Sequence, residues 1–149
     1  MQHFTFYNPT RIEFGKGKET NIGSYTKEFD VGNVLVLYGS ERIKNDGLFA
    51  RVTASLEEQG ISYKALGGVV SNPVISLVRD AVKLVKEHNL QGIVAVGGGS
   101  VADSAKAIAA GAKYDGDVWD FFIGKAAVAD AIPVFTIMTL AATGSEMNP

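Results

Sequence analysis

Apolar residues along this chain alternate between short unbroken runs and longer helical repeats. Val34-Leu35-Val36-Leu37-Tyr38 is continuous, as a parallel strand covered on both faces should be. The runs 61–66, 93–96 and 134–138 predict three further strands. Between them, Leu48, Val52 and Leu56 recur at helical spacing, with Asp46 placed to cap the first turn and Gly60 to end the last. Asn72 is expected as an N-cap and Pro73 as the first helical residue, ahead of an apolar face of Val74, Leu77, Val78, Ala81, Val82 and Val85. Val101, Ala105, Ile108 and Ala112 mark another helix, and the polar stretch from Gly17 to about Tyr25 predicts a short one. Within 115–130, Trp119, Phe121 and Phe122 suggest a packed loop or short helix. At the start, Phe4-Thr5-Phe6-Tyr7 and Arg11-Ile12-Glu13-Phe14 flank Asn8-Pro9-Thr10, which predicts a β-hairpin ahead of the sheet.

Strands alternating with helices imply β-α-β units with right-handed crossovers. The expected fold is therefore α/β: a Rossmann-like parallel sheet with helices on both faces, preceded by the N-terminal β-hairpin. Ligands of such sheets bind outside the carboxyl ends of the strands. The 149 residues suit one domain, spanning 1–149. A formal charge of −2, with no stripe of Lys and Arg, argues against a nucleic-acid partner. The absence of cysteine removes disulfides and thiolate metal sites. Neither a leader nor a membrane-spanning run is recognisable, so a cytoplasmic protein is expected.

The strongest local signal is Val94-Ala95-Val96-Gly97-Gly98-Gly99-Ser100, three glycines between a buried strand and a helix start. Missing side chains let backbone N–H groups approach an anion, and the positive end of the helix favours negative charge. A pyrophosphate suits such a place. Gly97, Gly99 and Ala102 satisfy a loose G-x-G-x-x-A pattern, although Asp115 and Asp117 precede a loop instead of ending a strand. A plainer reading also exists: a tight turn with no ligand, Ser100 and Asp103 forming a capping box, and Asp103 pairing with Lys106.

Four segments now stand in a familiar order: Phe14-Gly15-Lys16-Gly17, Asn72-Pro73, residues 97–108 from Gly97-Gly98-Gly99-Ser100 onward, and Thr139-Leu140-Ala141-Ala142-Thr143-Gly144-Ser145-Glu146. Together they resemble the iron-containing (group III) alcohol dehydrogenases. The resemblance implies that Gly97, Gly98, Gly99 and Ser100 hold the pyrophosphate of a nicotinamide dinucleotide, with Asp103 near its nicotinamide end. It also implies that Thr139, Leu140, Thr143 and Ser145 line the adenine and ribose side, with Asn72 on the neighbouring loop. Members that prefer NAD commonly carry an Asp after the first buried strand, where this chain has Gly39-Ser40-Glu41-Arg42. Gly39 and Ser40 leave room for a 2′-phosphate, with Arg42 or Lys44 nearby, so NADP is expected ahead of NAD. Glu41 argues the other way if it points inward.

In the resembled family, hydride passes between the nicotinamide and a small alcohol or aldehyde while a divalent metal, Fe or Zn, polarises the oxygen. An Asp and three His residues of a second, helical domain hold that metal. His3 and His88 are the only histidines here and read as structural, so neither a metal ligand nor a catalytic residue is assigned. The expectation is a cofactor-binding domain without the helical metal-binding domain, inactive by itself. A homodimer is implied, its hairpin edge open to strand addition. A glycerol dehydrogenase-like or dehydroquinate synthase-like domain, and a non-catalytic nucleotide-binding or assembly module, stay open as alternatives.

Overall fold

In the computed structural model, residues 3–5, 7–142 and 144–148 are described. A four-stranded sheet carries the strands β1 (Asn33–Tyr38), β2 (Ser62–Leu66), β3 (Gly92–Gly97) and β4 (Val134–Met138). Its order is β2-β1-β3-β4, and every pairing is parallel. Around it lie α1 (Ile22–Glu28), α2 (Arg42–Asn45), α3 (Leu48–Glu58), α4 (Ile75–Glu87), α5 (Gly99–Ala112) and α6 (Trp119–Phe122), with a 3-10 turn at Lys18–Asn21 before α1.

Alternation within β1 and β3 divides the core in two. Leu35, Leu37, Ile93 and Ala95 face α4 and α5, meeting Val78, Ala81, Val85, Val101, Ala105 and Ile108. Val34, Val36, Val94 and Val96 face the other way, against Ile22, Val52 and Leu56 of α1 and α3. Helices thus cover both faces, which is why β1 and β3 read as unbroken apolar runs. Each fully buried Val, Leu or Ile contributes roughly 1.5–3 kcal/mol, so these two strands anchor the fold.

Several sequence expectations hold. The Asp46 carboxylate accepts the Leu48 amide at 3.0 Å at the start of α3, although the N-cap itself is Gly47, one residue on. Gly60 ends that helix in the left-handed region, at φ 70°. Three expectations need correction. The described residues between 3 and 14 form no strand, so the hairpin is not built; Phe6 lies outside the described residues. Arg11 instead ties this arm to α1 through Glu28, 2.6 Å away, and stacks over the Tyr25 ring. Helix α4 begins at Ile75 with Val74 as its N-cap, because Asn72 is left-handed at φ 57° and turns the chain before Pro73. The Ser100–Asp103 capping box is absent: α5 starts at Gly99 with Gly98 as its N-cap, two residues early, which places Ser100 inside the helix instead of at its cap. No helix among the described residues is long and apolar enough to cross a membrane.

Candidate functional site

From β1 the chain moves outward to β2 and then returns across β1 to β3. The reversal lies between β1 and β3, whose carboxyl ends carry Gly39-Ser40 and Gly97-Gly98-Gly99-Ser100. A crevice at such a switch point is where open α/β sheets take their ligands. One side chain links the two glycine turns: Val101 Cγ2 lies 2.5 Å from where a Cβ at Gly97 would stand and 3.8 Å from the same point at Gly39. Val101, which the sequence pattern presented only as core, thus stands between the two glycine turns.

The glycines differ in why they are glycine. A Cβ at Gly97 would collide with Val101, so its absence serves strand-to-helix packing. Gly98 has extended backbone, φ −91° and ψ −168°, that any residue adopts. A Cβ there would meet nothing nearer than Leu140 Cβ at 4.0 Å. Nothing in the fold requires glycine at 98, and the space beside it is open to a ligand.

The start of α5 supplies the matching donors. No side chain caps it, and the Gly98 carbonyl accepts Val101 N–H at 3.0 Å and Ala102 N–H at 3.2 Å. No group among the described residues accepts the N–H of Gly99 or Ser100. Two free amides and the positive end of a 14-residue helix suit a bound anion.

The β4 loop closes one side. Thr139 N–H donates to the Gly97 carbonyl at 2.9 Å, and Leu140 stands 64% exposed beside Gly98. Asp103 is exposed and pairs with Lys106 at 3.7 Å, while Lys106 Nζ donates to the Asn148 carbonyl at 3.1 Å. That contact folds the chain after β4 back onto α5. Residues 39, 97–100, 139 and 140 therefore gather at one edge, with Asp103 one turn along α5. Asn72 stands exposed on the loop after β2, and Ser145 is 4% exposed, buried beneath its turn. Thr143 lies outside the described residues.

Beyond β1, the Tyr38 hydroxyl donates to Glu41 Oε1 at 3.0 Å, and Lys44 Nζ lies 2.7 Å from Glu41 Oε2. Lys44 first, and then Tyr38, hold the Glu41 carboxyl below its ordinary value, and Glu41 in turn raises Lys44. Both groups are charged at neutral pH. Glu41 thus points at its own neighbours, an arrangement that residue spacing did not disclose.

No group of three or more His, Cys, Asp or Glu residues that could hold a metal ion occurs among the described residues. The free amides at the start of α5 and the open space beside Gly98 suit an anionic group such as a phosphate.

Known proteins match this chain throughout. The profile of a family described as iron-containing alcohol dehydrogenase matches residues 9–149. A Bacillus subtilis protein described as probable NADH-dependent butanol dehydrogenase 2 is 49% identical over 149 residues, taking in 100% of this chain and 38% of that protein. The NADPH-dependent aldehyde reductase YqhD of Escherichia coli is 37% identical over 151 residues, with 99% and 38% covered. Among solved structures, NADH-dependent butanol dehydrogenase A of Thermotoga maritima superposes with a TM-score of 0.97 at 47% identity, over 99% of this chain and 37% of that one. The chain therefore spans less than two-fifths of the length of these relatives.

Proposed function

Because the chain belongs to the iron-containing alcohol dehydrogenase family, we propose that it binds a nicotinamide dinucleotide for hydride transfer between that cofactor and a small alcohol or aldehyde. The observation that carries this reading is the opening beside Gly98, where the fold needs no glycine and the amides of Gly99 and Ser100 have no acceptor among the described residues. The pyrophosphate would rest on residues 97–100. Asp103 would stand toward the nicotinamide, with Thr139 and Leu140 along the adenine and ribose side. Asn72, Thr143 and Ser145 remain assigned to that binding loop system by the family resemblance. The cofactor supplies the hydride; these residues bind it, orient it and exclude water from its phosphates.

NADP(H) is the proposed preference. Gly39 and Ser40 offer backbone and hydroxyl donors without a carboxylate, and Glu41 is engaged by Tyr38 and Lys44. Relatives include both NADH-dependent and NADPH-dependent enzymes, so direct competition between the two nucleotides decides. The ligands of an iron or zinc ion are proposed to come from the part of the relatives' length that this chain does not match. These 149 residues alone should then show no turnover with NADPH, aldehyde and added Fe²⁺ or Zn²⁺. A homodimer is proposed to form through the arm at 3–14, where Phe14 is 96% exposed, and sedimentation checks it.

The reading is tested by titrating the chain with NADPH and NADH and following nicotinamide fluorescence. Saturable binding, tighter for NADPH, is expected. Absence of binding by either nucleotide overturns the dehydrogenase reading, and tighter NADH binding overturns the preference alone.

A further inference from the structure

The end of β1 carries a four-residue arrangement that the pyrophosphate site does not explain. Tyr38 is buried, and its ring fits because residue 67 is glycine: a Cβ there would lie 2.5 Å from a ring carbon. The fixed Tyr38 hydroxyl holds one oxygen of Glu41, and Lys44 holds the other. The Lys44 ammonium also lies 5.1 Å from the centre of the Tyr38 ring and 5.5 Å from that of Phe49. Tyr38 and Phe49 pack edge to face, so the cation rests in a fixed aromatic corner.

The arrangement is nevertheless open. The side chains of Lys44 and Glu41 are 43% and 66% exposed, and Glu41 follows directly on Gly39-Ser40 with Lys44 three residues beyond it. A phosphate dianion competes well with a carboxylate for an ammonium ion, since it carries more charge and three acceptor oxygens. Glu41 keeps one partner in Tyr38 when Lys44 turns away.

Resting on the proposed reception of a 2′-phosphate at Gly39-Ser40, we propose that Lys44 is the residue by which this chain distinguishes NADPH from NADH, and that Glu41 restrains it. Lys44 reads the 2′-phosphate. Glu41 competes for the same ammonium and so sets how strongly the phosphorylated cofactor is favoured.

The test compares NADPH and NADH affinities of the unaltered chain, Lys44→Gln, Glu41→Gln and Tyr38→Phe, with circular dichroism confirming the fold. Lys44→Gln should lower the NADPH-to-NADH affinity ratio about tenfold, the effect of losing one well-placed charge contact. Glu41→Gln should raise that ratio roughly threefold by freeing Lys44. Tyr38→Phe, which removes the other hold on Glu41, should fall below the unaltered chain. A ratio within about twofold of the unaltered chain in both Lys44→Gln and Glu41→Gln overturns the proposal. Should Lys44→Gln fail to fold, Glu41→Gln decides by itself. A chain that prefers NADH, yet loses NADPH affinity in Lys44→Gln, sustains the role of Lys44 and refutes only the preference proposed above. Binding of neither nucleotide removes both.

Discussion

The two ends of the sheet treat their backbone polar groups in opposite ways. At the amino end, the Gly32 amide donates to the Gln91 side chain at 2.7 Å, Gln91 N–H to Asn33 Oδ1 at 3.1 Å, and the Asn33 side chain to the Asn89 carbonyl at 3.1 Å. Ile93 N–H reaches the Pro133 carbonyl at 2.9 Å. At the carboxyl end, Gly99 and Ser100 present amides with no acceptor among the described residues, beside an open space at Gly98. The amino end also borders a cleft of about 690 Å³, lined by Asn89, Gln91, Lys113 and Pro133 among others. Concavity is therefore the weaker guide here: this cleft borders backbone groups that meet hydrogen-bond partners, whereas the unmet donors among the described residues lie at the other end of the sheet.

The sharpest way to break this contrast is Gly98→Val. The backbone at 98 is ordinary and the space beside it empty, so the variant should melt within a few degrees of the unaltered chain. Its nucleotide affinity should fall about a hundredfold, roughly 2.7 kcal/mol, because the side chain fills the space the phosphates need. Unchanged affinity by calorimetry would return Gly98 to the status of a plain turn residue. Gly97→Ala should behave in the reverse sense: with Val101 in the way, thermal unfolding should report a loss of about 1–3 kcal/mol.

At the amino end, Gln91→Ala leaves the Gly32 amide without its side-chain acceptor. Denaturant titration should show a loss of about 1 kcal/mol, with nucleotide affinity unaltered. The smallest expected effect is in pH dependence. The amino-end network consists of amides and does not titrate, whereas Glu41 at the carboxyl end does. Its carboxyl is held below 4.5 in the folded chain, so its contribution is fully present above that value and is lost as pH falls through the lowered one. Melting temperatures of Glu41→Gln and the unaltered chain should differ by a constant amount between pH 6 and 8 and converge only in acid. A difference that already shrinks across neutrality contradicts the pairing.

The strands and long helices were legible because their burial follows simple periodicity. Val34 to Tyr38 is apolar on two faces, and the α4 residues from Leu77 to Val85 repeat at helical spacing. The glycine turn was legible because three glycines between strand and helix have few other uses. What escaped depended on geometry that spacing does not encode. The Phe4 to Phe14 segment has strand-forming residues, but strand structure needs pairing partners, and its arm is tied to α1 by Arg11 instead. Asn72 carries the side chain of an N-cap, yet its left-handed backbone makes it a turn residue. Val101 looked like core because it is core. Its place between two glycine turns becomes visible only once β1 and β3 lie side by side.

The central claim concerns two backbone amides, and nuclear magnetic resonance observes them directly. In the amide spectrum of this 15.8 kDa chain, adding NADPH should move the resonances of Gly98, Gly99 and Ser100 most and leave those of Asn89 to Gly92 in place. Larger movement at Asn89 to Gly92, with Gly99 and Ser100 stationary, would contradict the account and transfer the ligand to the opposite end of the sheet.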